Sequence, residues 1–358
     1  MGACATAGTC LEALVRMAAP LLREAERRCP RTGPGAKPDI PDWLIGMLIM
    51  VAVLKRRKSK SAQFRFLSEK TTRRKIAEAA GCGDFPSRST FFRRYKRAHR
   101  LFRTAIQLQG EKALAEGVAD AEVVAVDKSL IAARGPLWHK RDRQAARIPK
   151  GLHGVDQESA WGCSQHDGWV QGYSFEVVVT ATAGSTVFPL VASADTASAK
   201  ETQTCREKVA ALPENVHYVL ADSGYDSNDL AEQVEYDEDD RRTGRRFLCP
   251  ENRRGSKRRR GASPPQPRDE HHRRRLQRRK FLKCCKGKRL YARRGQTIEP
   301  FNDWFKGLFE LDQTVWHRGL DNNQTQMLAA IFAYQLLVRY NYRRGNENGQ
   351  VKWIMDCL

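Results

Sequence analysis

The sequence has no long apolar run. Its longest uncharged apolar stretch near the N-terminus, Leu44 to Leu54, has 11 residues, whereas a helix crossing a bilayer needs about 20. No membrane span is expected. No secretion signal is expected either, since Glu12 and Arg16 sit among short apolar pieces where a basic start, an apolar run and a small-residue cleavage site would be needed. Ten cysteines are scattered over 358 residues with no pair at the two-residue spacing of a zinc knuckle or redox motif, which argues against a disulfide scaffold. A reduced, cytoplasmic protein is expected. Cys163 with His166 has no second ligand pair and reads as an ordinary loop. Adjacent Cys284 and Cys285 belong to a basic tract. No internal repeat is visible, and 41% hydrophobic with 29% charged residues is a globular mixture.

Positive charge is abundant. The net charge is +22, with +20 between Arg241 and Arg294 and +14 between Lys55 and Arg103, which leaves −12 for the rest of the chain. Two basic modules and an acidic body point to a polyanion partner, because clustered Lys and Arg release counterions when they bind phosphates. Pro264, Pro265 and Pro267 interrupt the second module, which has no amphipathic period, so a membrane surface fits poorly. Nucleic acid is favoured.

Residues 1–40 read as a helix over Leu11 to Arg28 and a Pro/Gly linker, Pro30 to Pro38. Residues 41–117 read as an all-helical domain, with Trp43, Met47, Met50 and Leu54 at helical spacing. Gly81-Cys82-Gly83 ends one helix, and Ser87 caps the next, which carries Arg88, Arg93, Arg94, Lys96, Arg97 and Arg100. Helix, glycine turn and basic helix form the layout of a helix-turn-helix DNA reader. From residue 121 the period changes to two. Glu122 to Asp127 and Val216 to Asp222 are expected as buried strands ending in an acid, and Tyr173 to Thr182 with Thr186 to Ser193 as a hairpin. Ala197 to Leu212 is expected as a helix with Cys205, Val209 and Leu212 inward, and Thr297 to Leu311 and Gln324 to Asn341 as long helices. The fold class is therefore α/β with a mixed sheet, preceded by a helical domain. Residues 346–358 form a tail.

Two acids that close neighbouring strands repel each other unless a cation sits between them. Asp127 and Asp222 thus suggest a divalent metal site, and Mg²⁺ is the natural occupant because it takes carboxylate and phosphate oxygens. In Tyr291 to Lys306, Thr297 is expected to cap a helix with Glu299 in its first turn and Lys306 two turns later on the same face. A carboxylate with a lysine beside it suits a phosphodiester substrate.

Asp127, Asp222 within LADSGYDS, then Tyr291, Arg294, Glu299 and Lys306 resemble the DDE-type transposases of bacterial insertion sequences, in the branch with a Tyr/Arg/Glu/Lys signature around the last acid. The resemblance spans about residues 40–345. Six residues separate Glu299 from Lys306, as in the signature, while four separate Arg294 from Glu299 where the pattern has three. The resemblance implies a ribonuclease-H-like catalytic domain over 118–345 with a basic insertion at about 236–290. It implies Asp127, Asp222 and Glu299 as catalytic and metal-holding residues for two Mg²⁺ ions, with Mn²⁺ able to substitute. Cleavage at the element's ends and joining to target DNA would proceed without a nucleotide cofactor, on a homodimer bound to DNA. Nucleoid association in the cytoplasm follows. Arg88, Arg93, Arg94, Arg97, Lys257, Arg258, Arg259, Arg260, Tyr291, Arg294 and Lys306 are the candidate DNA contacts. Trp161, Trp169 and Trp304 are weighed as stacking partners for a flipped base, with core packing favoured. The rival readings are an inactive, transposase-derived DNA-binding protein and a ribonuclease-H-like nuclease that cuts without joining.

Overall fold

The structure, a computed structural model, describes residues 7–29, 39–164, 166–252, 269–347 and 349–358. Lys257, Arg258, Arg259 and Arg260 lie outside the described residues. Helices α1 (Ala7–Arg28), α2 (Asp42–Leu54), α3 (Lys60–Ser68), α4 (Lys70–Ala80), α5 (Arg88–Tyr95) and α6 (Ala98–Ala115) lead into strand β1 (Val123–Ala132). After a short helix, α7 (Lys140–Gln144), come β2 (Ala160–Ser164), β3 (Gly168–Thr180) and β4 (Pro189–Thr196). Helix α8 (Glu201–Ala210), β5 (Tyr218–Leu220), α9 (Asn228–Glu235) and β6 (Arg246–Leu248) follow, then α10 (Glu270–Lys283), α11 (Cys285–Leu308), α12 (Leu320–Arg343) and α13 (Lys352–Cys357).

The strands run in the order β2, β3, β1, β5, β6, and β4 also pairs with β3. β1 is antiparallel to β3 and parallel to β5, which is parallel to β6. This mixed arrangement around a central β1 is that of a ribonuclease-H-like core. Val123 to Val126 are buried without exposure, as a strand covered on both faces must be. Gly172 is required where β3 meets β1, because a Cβ there would lie 2.0 Å from Ile131 O. β6 lies within the stretch expected as a basic insertion yet extends the sheet, since Phe247 and Leu248 are buried while the arginines around them are not.

The apolar stripe read on α2 is one part of a helix buried from Trp43 to Leu54. α1, α6 and α12 pack around it, so no face of α2 meets water and its sequence has no polar side. α12 is buried from Asn323 to Asn341 and joins these helices to the sheet through β4. Arg339 of α12 is clamped by Glu116 and by Gln109 of α6, which partners an otherwise costly buried charge.

Ser87 caps α5 through Thr90 N, and Gly81 ends α4 at φ 64°. α5 stops at Tyr95, so Arg97 and Arg100 do not continue it: Arg97 stands at the N-cap position of α6 without a side-chain capping bond, and Arg100 lies on α6. Phe91 and Tyr95 hold α5 in the core. The Tyr95 hydroxyl lies 3.0 Å from His317 Nε2, and burial pushes the His317 imidazole down to about 3. Its neutral form is favoured by folding, so its contribution is present above the unfolded value of about 6.5 and is lost as pH falls toward 3. His317→Gln should flatten the decline of Tm between pH 6.5 and pH 4. Thermal unfolding of both proteins across that range checks this.

Candidate active site

Two parallel strands bring the first two acids together. The β1–β5 ladder pairs Val123 with Tyr218 and ends at Ala125 opposite Leu220; Asp127 and Asp222 each lie two residues past that last pair, close enough for the Asp222 charge to act on Asp127. Asp127 does not close its strand as expected. β1 continues to Ala132 because β3 pairs it from Val124 to Ala132 and because the polar residues in its middle have partners. Lys128 Nζ donates to Ala197 O and Ala199 O and lies 3.6 Å from Glu201. Asp222 does not close a strand from Val216 either: β5 is only Tyr218–Leu220, and Asp222, two residues past its end, accepts from Gly224 N at 2.8 Å through Oδ1 and caps a 3₁₀ turn, Ser223–Tyr225.

The third acid arrives on a helix that starts earlier than expected. α11 begins at Cys285, with Cys284 as its N-cap, so Thr297 is not a cap. Its hydroxyl donates instead to Arg293 O at 2.8 Å. The arginine-rich run before Thr297 contains no proline, and nothing in it interrupts the helix. Glu299 therefore lies far inside α11, not in its first turn. Its register still serves the site: Arg294 donates to Glu299 Oε1 at 2.7 Å and to Asp127 Oδ1 at 2.9 Å. The four-residue spacing between Arg294 and Glu299, one longer than the signature, is compatible with this bridge.

Asn302, one turn beyond Glu299 on α11, donates to Asp127 Oδ2 at 2.9 Å, and the sequence reading missed it. The missed signal was the helical spacing of Arg294, Ile298 and Asn302, hidden by starting the helix at Thr297. Glu201 was missed too. A Cβ on Gly224 would lie 2.0 Å from Glu201 Oε2 and 2.9 Å from Asp222 Oδ1, so this fourth carboxylate stands beside the second acid. Behind them Lys208 and Glu176 form a buried ion pair at 2.5 Å.

Burial, opposed by Arg294 and reinforced by Asp222, pushes the Asp127 carboxyl up to about 7. Burial raises Glu201 as well, against the pull of Lys128. For Arg294 the desolvation is more than offset by Asp127 and Asp222, so its proton is held more tightly than usual. Tyr291, near Asp222 and Glu299, is pushed up to about 12 by burial. The site is a crowd of carboxylates balanced by one guanidinium.

Among the described residues no three His, Cys, Asp or Glu side chains converge closely enough to hold a metal ion. In this arrangement Arg294 provides the positive charge between Asp127 and Glu299. The donor set nevertheless suits a hard cation. Asp127, Asp222 and Glu299 offer only oxygens, and Asn302 Oδ1 beside them is buried without a hydrogen-bond partner. Oxygen donors of this kind fit Mg²⁺ or Mn²⁺.

The candidate DNA contacts fall into two groups. Arg88, Arg93 and Arg97 are exposed. Arg94 is turned inward onto Asp42 and Ile40 O, so it ties α5 to α2. In the second basic tract Arg274, Arg275 and Arg278 pair with Glu232, Asp226 and Glu235, whereas Lys280, Lys283, Lys288 and Arg289 are exposed. Part of that charge is thus neutralised by carboxylates around α9. Lys306 is half-buried near Asp167. Asp156 and Asp195, conceivable substitutes for the first acid, are engaged elsewhere: Asp156 is buried and accepts from the Tyr173 hydroxyl, and Asp195 accepts from Thr196 N. Trp161 is packed through its Nε1 to Trp138 O, while Trp169 and Trp304 are 64% and 38% exposed.

Residues 119–336, more than half of the chain, match the family described as Transposase DDE domain. A piggyBac transposase synaptic complex with hairpin DNA, solved by cryo-EM, is similar at 12% identity and a TM-score of 0.42, over 98% of this chain and 78% of that one. No curated protein matches. No described helix is long and apolar enough to cross a membrane.

Proposed function

Because this chain belongs to the Transposase DDE domain family, we propose that it binds the ends of an insertion sequence, cleaves the DNA there and joins the 3′ ends to target DNA. Asp127, Asp222 and Glu299 are the catalytic carboxylates in this reading. The observation that carries it is that Asp127 and Asp222 each lie two residues past the last pair of the parallel β1–β5 ladder, while α11 links Glu299 to Asp127 through Arg294.

Asp127, Asp222 and Glu299 would hold Mg²⁺, two ions in the family's chemistry, which when bound supplies Lewis acidity and lowers the pKa of the attacking oxygen. The chain's own residues do the rest. Asn302 fixes the Asp127 carboxylate at Oδ2, leaving Oδ1 as the oxygen that Arg294 now occupies. Once released from the carboxylates, Arg294 can take a phosphate oxygen in bidentate fashion, and Tyr291 and Lys306 on the same helix extend that grip. Lys128, held by Ala197 O and Ala199 O, keeps Glu201 oriented beside Asp222. Residues 41–117 recognise the element's end through the exposed Arg88, Arg93 and Arg97, and the exposed lysines of α10 and α11 hold flanking phosphates. A homodimer on DNA brings two ends together.

A strand-transfer assay on a duplex with a recessed 3′-hydroxyl end separates this function from a nuclease that only cuts. Joined product in Mg²⁺ or Mn²⁺, absent in EDTA, is the expected result. Glu299→Gln should abolish joining, whereas Asp303→Asn, at an exposed position on the same helix, should change it less than about two-fold because an exposed ion contact is worth under about 1 kcal/mol. Activity in Glu299→Gln together with a dead Asp303→Asn would transfer the third acid to Asp303.

A further inference from the structure

Neither basic tract includes the segment joining β1 to β2, which the charge count left with the acidic remainder of the chain. Residues 133–159 build a lobe with a fixed inside. Trp138 is buried, its backbone N–H donates to Gln171 Oε1 at 2.5 Å, and its Nε1 donates to Arg147 O at 2.9 Å. Asp156 accepts from the Tyr173 hydroxyl and from Gly319 N. Gly154, at φ +74°, sits so close to Arg318 that a Cβ would lie 2.6 Å from the guanidinium.

The outside of the lobe combines two kinds of side chain. Leu137 is 56% exposed and Ile148 42%, each next in sequence to a partner of the Trp138–Arg147 hydrogen bond. Trp169, in the adjoining strand β3, is 64% exposed, and Lys140 Nζ lies 5.6 Å over its ring. These three residues belong to the five exposed large hydrophobics among the described residues. Lys140, Arg141 and Lys150 of the same segment are exposed and, among the described residues, form no ion pair. Water hydrates such apolar tips poorly. A partner that offers anions alone would leave them wet.

Location narrows the partner. Ala132, at the base of the lobe, is five residues on from Asp127 along extended β1, about 16 Å at roughly 3.3 Å per residue. Asp167, in the turn leading to Trp169, has its carboxyl held low by its hydrogen bond with His166 and by the charge of Lys306, so this turn lies beside α11. DNA engaged at Asp127 would run within reach of the lobe. It offers phosphates together with apolar sugar and base faces, the surfaces that inserted or stacked side chains use.

We infer that the lobe is a DNA-gripping surface in which Lys140, Arg141 and Lys150 hold phosphates while Leu137, Ile148 and Trp169 press on sugar and base faces. The inference rests on the proposed action on DNA. All six positions are exposed, so substitutions there leave the core intact. The test measures affinity of the full chain for a labelled random-sequence duplex across a salt series, with sedimentation run in parallel. Lys140→Ala, Arg141→Ala and Lys150→Ala combined should reduce the slope of log K against log salt by up to about 0.9 for each phosphate that is no longer neutralised. Trp169→Ala should leave the slope unchanged and weaken binding about ten-fold at every salt concentration. Unchanged slope and affinity in both variants, with wild-type cleavage intact, overturn the inference and leave the proposed function standing. Variants that alter only self-association make the lobe an interface between copies, which also overturns it. A wild-type chain that binds no DNA sinks both readings.

Discussion

Asp127→Asn should abolish DNA cleavage and joining while leaving DNA binding at or above the wild-type level. The substitution keeps shape and the hydrogen bond to Asn302 but removes a charge that cation binding needs. Charge stabilisation by a bound metal is worth several kcal/mol at the transition state, so the loss should reach about 10³-fold at roughly 1.4 kcal/mol per decade. Binding should not suffer, because a carboxylate facing a phosphate is repulsive. Plasmid cleavage in Mg²⁺ and gel-shift affinity, measured on the same preparation, check both halves. Asp156→Asn is the control. Asp156 is buried against Tyr173 and Gly319, so its loss should cost about 1–3 kcal/mol of stability and spare the chemistry of correctly folded protein. Near wild-type joining by Asp127→Asn would move the first acid elsewhere.

Arg294→Ala should move two quantities in opposite directions. With the guanidinium between Asp127 and Glu299, a divalent cation must displace it to reach the same oxygens. Each charge-assisted hydrogen bond is worth about 1.5–3 kcal/mol. Removing this competitor should therefore tighten Mn²⁺ binding off DNA by about ten-fold or more, read directly by titration calorimetry. Cleavage should nevertheless slow, since the freed arginine is no longer present to take a phosphate. Unchanged Mn²⁺ affinity would show that the cation does not use the oxygens that Arg294 covers.

The acids of the proposed site stand out in the sequence by local pattern. VVAVD and VHYVLAD are short β-branched runs followed by a carboxylate, and the Glu299 to Lys306 spacing survives a wrong helix boundary. The boundary itself was misread for a physical reason. Thr297 before an apolar run looks like a cap, yet a threonine hydroxyl inside a helix can bond back to the carbonyl four residues earlier, and Arg293 O accepts from it here. That error hid Asn302. Glu201 left no local trace, because its place beside Asp222 depends on how α8 packs across the sheet.

By itself the sequence determined that its longest apolar run near the N-terminus is too short for a membrane-crossing helix, that its basic charge is clustered, that strands give way to long helices, and that three acids and a lysine stand at family spacing. These properties are set by composition and by neighbours within a few turns. Only the tertiary structure decided which charges are available. Arg94 is spent on Asp42 and Arg274 on Glu232, while Lys140, in a segment whose charge looked diluted, is exposed over an exposed tryptophan, and Lys150 of the same segment is exposed too. A charge count sums along the chain, whereas an ion pair depends on distance in space, and folding brings residues tens of positions apart to within about 3 Å of each other.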